Sequence, residues 1–577
     1  MARILDAVFR VPAAVTAVAA VRLAAALAVA AALIVAPVTA QASPQAGGGW
    51  TGAGIVKAPG GPYMTDAFGR ELEFHGTNLV DKCGGGAIDT TALGTPCVGP
   101  AQGPQLAYVL SPTAADPGRR FTEADARTLA SLGFNVVRVG VIWEGLEPGP
   151  RGIGINNPAY CAPHQPGTAF PSLGRFRPYD PAAIRAYLAR TDTIVDELAR
   201  AGIRVIIDMH SDVWGSAFAN PKGATPWNGE GAPLWATCTG RYRFRPSPGW
   251  GDGYLSHAVQ TAIHHFWAND VRADLQDQYA RVWAAVARHY RGDPEVVGYD
   301  VYNEPNDFLV KNFNPELQCV YGGPTLEPKS CAAAGHPNAL PTGLIGAIET
   351  ADPTHVVLYE PSGATDFGAP ETIGIGEPLK FPRLALAFHV YGAIPGQLIE
   401  TAHERAATRT DQPGGPAWIM DEFGASDNAA FDGNVVSHAD PLNISWAYWS
   451  AMQLHDPTAG DGAEGLLDQT TRQPYADMAQ AVAVPYPWAT AGSPGPQSFD
   501  RGTQTFRYRY LVDHRITAPT LIEIPKYTYP FGYTVQVTGG RVVSKANAPV
   551  LAVVAGPHVS HVTITVLSLT AFPFPNY

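Results

Sequence analysis

Positive charge is scarce in this sequence. Only 16% of its 577 residues are charged, and the formal net charge is −12. Such an acidic chain has no footprint for nucleic acid or for electrostatic adhesion to anionic lipid, so any lipid contact has to be apolar. Cysteine is also sparse: Cys83, Cys97, Cys161, Cys238, Cys319 and Cys331, with no CxxC among them. That excludes the common metal-ribbon and thiol-redox patterns and suits disulfides in an oxidising compartment. Six cysteines allow about fifteen pairings, of which Cys83–Cys97 and Cys319–Cys331 are the shortest local candidates. His257, His264 and His265 lack the HExxH spacing of a metal helix, so neither metal nor cofactor is expected. Beyond residue 42 there is no apolar run long enough to span a bilayer, and no repeat of solenoid length.

What is present is a folded, two-domain composition, 46% hydrophobic. Residues 1–42 read as an export leader. Arg3, Arg10 and Arg22 supply positive charge, Leu23 to Ala36 is apolar, and Ala40-Gln41-Ala42 is a small-residue cleavage pattern. The alternative is an uncleaved anchor helix. Removing Arg3, Arg10, Arg22 and Asp6 with the leader changes the net charge to −14. The mature protein is expected to be secreted, periplasmic or on the cell surface.

Residues 43–70 read as an irregular lead-in. Strands then alternate with helices: Leu72 to Leu79, Val136 to Val141, Val205 to Asp208, Val296 to Val301, Val356 to Tyr359, Leu384 to Phe388, Ala417 to Met420 and Ile444 to Trp449. Eight such strands predict a closed (β/α)8 barrel over 43–484. An open doubly wound sheet is the alternative, weakened because no Gly-rich phosphate loop follows the first strand. Long connections at Glu144 to Tyr179, Trp214 to Asn269 and Phe308 to Pro341 follow strands and carry Trp214, Phe218, Trp227, Trp235 and Phe266. They are expected to form ordered walls and lids around a cleft. Proline-rich residues 485–498 read as a linker. Helix-free alternation over 499–577 predicts an antiparallel β-sandwich.

The chemistry gathers at strand ends. Asn303-Glu304-Pro305 closes the fourth strand and Glu422 the seventh, two carboxylates that suit glycosidic hydrolysis. Arg138, the Asp208 to Trp214 run, His389, Tyr391 and Trp449 end other strands. Alternation along the strand turns Asp421 away from Glu422, and Asp300 reads as a supporting group.

Arg138, His210, Asn303-Glu304-Pro305, His389, Tyr391, Glu422-Phe423-Gly424 and Trp449 resemble the pattern of glycoside hydrolase family 5, and within it the endoglycoceramidases. The His75 to Lys82, Asp208 to Trp214, Gly229 to Ala236 and Gly298 to Asn306 segments carry the closer likeness, and a β-sandwich after the barrel matches it. The resemblance implies Glu304 as general acid/base and Glu422 as nucleophile. It further implies Asn303 at the sugar 2-hydroxyl, Trp449 as the floor of the sugar subsite with Trp446 its rival, and Lys82, His210 and Asp212 as hydroxyl-binding groups. Lys82 and Asp212 alternatively pair with each other. The expected substrate is a glycolipid or other β-glycoside, met by a monomer in transient contact with a membrane surface. Alternatives are an exo-β-glucosidase, steryl glucosidase or polysaccharide hydrolase on the same site, or a non-catalytic carbohydrate- or lipid-binding barrel.

Overall fold

In the computed structural model eight parallel strands close into a barrel. Described are residues 54–81, 121–149, 153–163, 180–220, 227–335 except 272, 339–367, 379–391, 415–452 except 427, 464–570 except 469 and 470, and 574–575. The 1–42 leader, Lys82, Cys83 and Cys97 lie outside them.

The barrel strands are β1 (His75–Leu79), β2 (Val136–Ile142), β3 (Arg204–His210), β4 (Val296–Asp300), β5 (Val356–Tyr359), β6 (Leu384–Val390), β7 (Ala417–Phe423) and β8 (Trp446–Tyr448). β8 pairs with β1, which closes the ring. Most strands are buried along their whole length, as expected where helices cover the outside and side chains fill the inside. The helices start where their chemistry says they should. Thr122 and Asp125 form a reciprocal cap on α1 (Glu123–Ser131). Asp180 caps α2 (Pro181–Arg200), whose first residue is proline. α3 (His257–Ala268) lies in the connection after β3, and α4 (Leu275–Tyr290) leads into β4.

Period-two alternation sorts the strand residues. Val136, Ile206, Leu358, Ala387 and Ile419 fill the lower barrel interior in one apolar cluster. Two residues further along the same faces stand Arg138, Asp208, Glu360, His389 and Asp421. The barrel is therefore apolar at its amino-terminal end and charged at its carboxyl end.

The lower end is sealed by the second unit, which departs from the expected layout in two places. Residues 485–498 are not a linker: they form β9 (Tyr486–Thr490) and most of β10 (Gly492–Asp500). Their prolines are tolerated because β10 is an edge strand and pairing is irregular between Pro494 and Gln497 and across Pro487. The rest of the unit is β11 (Thr505–Val512), β12 (Thr520–Glu523), β13 (Tyr533–Thr538), β14 (Gly540–Val542), β15 (Val550–Ala555) and β16 (His561–Ser568). The lead-in is also partly regular. Met64–Thr65 and Glu71–Leu72 join the β9–β12–β15–β14 sheet, with Leu72 opposite Ala489. The expected strand 72–79 thus splits, its start serving the sandwich and His75–Leu79 the barrel. The opposing sheet runs β10–β11–β16–β13. Tyr486, Trp488 and Leu521 pack directly on the lower barrel residues, and Gln497 donates to the buried Glu73 carboxylate at 2.9 and 3.0 Å.

Among the described residues two disulfides brace the connections after the strands. Cys161–Cys238 ties the connection after β2 to the one after β3. Cys319–Cys331 closes a short loop after β4, the local pairing expected from spacing. The aromatic residues of these connections do not line a cleft. Trp214, Phe218, Trp227, Trp235 and Phe266 are all at most 2% exposed; Trp214, Trp235 and Phe266 pack edge-on around Trp143, and Phe218 and Trp227 pack on Phe244. They form the walls' own core, because burying so much aromatic surface stabilises a long connection more than exposing it would. Among the described residues no helix is long and apolar enough to cross a membrane.

Candidate active site

Arg138 is the hub of the charged end. It is fully buried on β2. Its Nη1 donates to Glu422 Oε1 at 2.5 Å and to Asn78 Oδ1 at 3.2 Å. Its Nη2 donates to Asp300 (2.7 Å), Asn303 Oδ1 (2.9 Å) and Glu360 (2.9 Å). Asp208 stands 3.0 Å from Nη2 and Asp421 3.2 Å from Nε. Burial by itself would lower the Arg138 pKa, but Asp208, Asp300, Asp421 and Glu422 outweigh it and keep the guanidinium charged.

Glu422 is gripped from two sides, by Arg138 and by the Tyr391 hydroxyl, which donates to Oε2 at 2.8 Å. Both contacts favour its ionised form. Glu304 lies just past the end of β4, its side chain 19% exposed. His389 Nδ1 is 3.0 Å from Glu304 Oε1 and 3.4 Å from Glu422 Oε2, between the two acids. One carboxylate oxygen of each glutamate and a His389 nitrogen lie within 4.8 Å of one another. Retaining glycosidases hold their carboxyls about 5–5.5 Å apart and inverting ones about 6.5–9.5 Å apart, so this spacing fits the retaining pattern. The same trio is close enough to share an ion, but Arg138 and Tyr391 already bind the Glu422 oxygens.

Asp421 does not point away from Glu422. The pairing of β6 with β7 slips by one residue, from Phe388 opposite Met420 to His389 opposite Glu422. Asp421 is the extra residue of that bulge. It keeps the inward direction of Ile419 while Glu422 is brought inward as well. Strict alternation, the basis of the sequence expectation, does not survive a bulge.

The remaining predicted residues occupy defined positions. His210 Nδ1 is 2.8 Å from Asp208 and its ring stacks on Trp449 at 5.2 Å. Trp449 is 3% exposed and its indole N–H donates to Glu464 at 3.1 Å. Trp446 is at the opposite end, stacked on His75 and donating to Asp440. Asp212 accepts from the Tyr254 hydroxyl at 3.1 Å. Asn303 Nδ2 donates to Ser211 O at 3.3 Å. Lys82, expected as a hydroxyl-binding group, lies outside the described residues. His264 stands 2.7 Å from Asp307, with a Glu316 oxygen in the same 4.8 Å group. His265 instead pairs with Asp270, and His257 stacks on Tyr242.

Sequence reasoning missed Glu360, Tyr254 and Glu464. Only Glu360 carried a signal. Tyr359-Glu360-Pro361 repeats the acid-before-proline ending of Asn303-Glu304-Pro305 at the next strand. The others sit in connections, where period-two patterning gives no direction.

So many acids around one arginine cannot all ionise. Burial, opposed by Arg138 and His389, pushes Asp421 up to about 7, and burial pushes Glu360 up to about 8. Each binds its proton more tightly in the folded state than in the unfolded chain, which releases it near the ordinary values of 3.8 and 4.5, while the N–H donors facing both Glu360 oxygens are met by its carboxylate form. Their contribution to stability is complete below about pH 4 and is lost as pH rises toward about 8. His389 acts in the same direction. Burial lowers its pKa, the Glu360 and Glu422 charges raise it further, and the net value is above the ordinary one. The thermal midpoint is expected to be higher at pH 5.5 than at pH 8. Melting curves in matched ionic strength check this, and a midpoint that rises with pH across that range would refute it.

The model of the family described as Cellulase (glycosyl hydrolase family 5) matches residues 112–454, and the glycoside hydrolase family 5 C-terminal domain matches residues 485–566. The chain is 27% identical over 527 residues to endoglycoceramidase I of Rhodococcus hoagii (strain 103S), covering 86% of this chain and 85% of that one. It is 23% identical over 516 residues to an endoglycoceramidase of Cyanea nozakii, covering 82% and 85%. The fold is similar to that of endo-glycoceramidase II from Rhodococcus sp., solved as a lactosyl-enzyme intermediate. There the TM-score is 0.61 at 24% identity, covering 88% of this chain and all of that one.

Proposed function

The chain belongs to glycoside hydrolase family 5, and from that premise we propose that it is a secreted, retaining β-glycosidase that separates glycan from ceramide in glycosphingolipids. The observation that carries the reading is the pair Glu304 and Glu422, with oxygens within 4.8 Å and Glu422 bonded to Arg138. In the first half-reaction Glu422 attacks the anomeric carbon while Glu304 gives its proton to the departing glycosidic oxygen. In the second, Glu304 takes a proton from water, which displaces Glu422 from the sugar and regenerates both groups. Arg138 and Tyr391 supply the positive charge and hydrogen bond that keep Glu422 a carboxylate. Asn303 lies beside Glu304 within reach of the 2-hydroxyl, and Trp449 and His210 form the floor.

The substrate class is supported by relatives named endoglycoceramidases that align over most of this chain. It is also supported by Phe308 and Leu309, 43% and 46% exposed just beyond Glu304, an apolar rim suited to lipid. An acidic protein meets a bilayer through such a rim rather than through charge. Secretion is supported by the leader pattern and by the disulfides Cys161–Cys238 and Cys319–Cys331.

Incubation with lactosylceramide is expected to release intact lactose and ceramide, read by chromatography of both phases. Hydrolysis of simple β-glucosides or cello-oligosaccharides with no release from lactosylceramide would reject the glycolipid assignment.

A further inference from the structure

Glu360 follows β5 directly, before Pro361, and is 2% exposed. Its two oxygens have different partners. Oε2 accepts the backbone N–H of Glu304 at 2.7 Å. Oε1 accepts from Arg138 Nη2 at 2.9 Å and stands 3.4 Å from His389 Nε2. The other ring nitrogen of His389 is the one 3.0 Å from Glu304 Oε1. Glu360 thus reaches Glu304 twice: directly at the backbone, and through an imidazole at the carboxyl.

The backbone contact has a physical reason. Glu304 has φ +48°, a left-handed conformation that residues with a Cβ adopt rarely and keep only where the surroundings hold them. The turn takes the Glu304 N–H out of the strand ladder, and a buried donor needs an acceptor. Glu360 provides it. The neighbouring turns are locked together as well. Gly363 N–H donates to Pro305 O at 2.9 Å, and a Cβ at Gly363 would sit 3.2 Å from Glu304 Cβ.

We propose that Glu360 is the positioning residue for Glu304, fixing its left-handed backbone and, through His389, the direction of its carboxyl. The inference rests on the reading of Glu304 as the acid.

Glu360→Gln is the informative change. Its amide turns an N–H group toward either the Glu304 N–H or the Arg138 guanidinium, donor against donor. A small displacement of an acid costs turnover steeply, on the order of 10²-fold. That loss is expected with lactosylceramide, whose leaving group needs a proton. The rate at which 2,4-dinitrophenyl β-lactoside forms the glycosyl-enzyme should fall less than about fivefold, because that leaving group departs unassisted. The alkaline limb of kcat/KM for lactosylceramide should also move. Rates are taken per active centre, counted by dinitrophenolate release from the 2-deoxy-2-fluoro lactoside. Glu360→Asp, which withdraws the carboxylate from the Glu304 N–H, carries the same comparison if the glutamine variant yields no countable centres.

An equal loss on both substrates, or no loss on either, would overturn the positioning role. Glu304→Ala is measured alongside. If it too lacks the leaving-group dependence, the reading of Glu304 fails. If it shows the dependence and the Glu360 variants do not, only the present inference fails.

Discussion

Replacing Glu422 with serine is expected to lower turnover of any glycoside substrate by at least about 10⁴-fold, the scale seen when a nucleophile is deleted. Serine is too short to reach the anomeric carbon, so no covalent intermediate forms. The fold should persist. Arg138 keeps Asp208, Asp300, Glu360 and Asp421 as partners, and the space left by the carboxylate opens toward the site. Binding of lactose, read by calorimetry, should therefore stay within about tenfold of the native value, because ground-state contacts are largely made by other groups. Residual turnover above about one part in a hundred, measured on protein free of wild-type contamination, would remove Glu422 from the chemistry.

Arg138→Met should have the largest effect on stability. Methionine matches the length of the arginine stem but removes the cation that faces Asp208, Asp300, Glu360, Asp421 and Glu422. Deleting one member of a buried ionic network costs about 3–5 kcal/mol, because the partners remain buried and unpaired. Arg138→Lys should rescue only part of that. A lysine ammonium is a point donor, while Arg138 uses Nε, Nη1 and Nη2 in different directions at once. Lower pH should soften the loss, since protonating the acids removes their repulsion. Urea denaturation at pH 5.5 and pH 8 measures both. A Met variant within about 1 kcal/mol of the parent at pH 8 would show that the network is not held by this charge.

The barrel was legible because its strands are buried on both faces and separated by capped amphipathic helices. The runs Val136 to Val141 and Val205 to Asp208 read as strands on composition alone, and the structure extends them to Val136–Ile142 and Arg204–His210. Glu304 and Glu422 were legible for a simpler reason: each ends such a strand, and strand ends converge. What stayed hidden depended on departures from regularity. The bulge that turns both Asp421 and Glu422 inward leaves no mark in the residue types. The proline-rich stretch 485–498 reads as a linker because sequence does not reveal which strand will be an edge. The tryptophans of the long connections read as walls around a cleft because composition does not distinguish a wall's own core from its face. Glu360 was written plainly as a glutamate before a proline, and was passed over because its strand had no companion motif.

In the proposed reaction two carboxyls, Glu304 and Glu422, flank one sugar ring. Proton NMR of the first sugar released from a β-lactoside, recorded before mutarotation, tests this most directly. A β-anomeric signal that appears first and then relaxes toward equilibrium is the predicted result, since two displacements restore the starting configuration. An α-anomer appearing first would mean a single displacement by water, and the arrangement described for Glu304 and Glu422 would not be the one that carries the reaction.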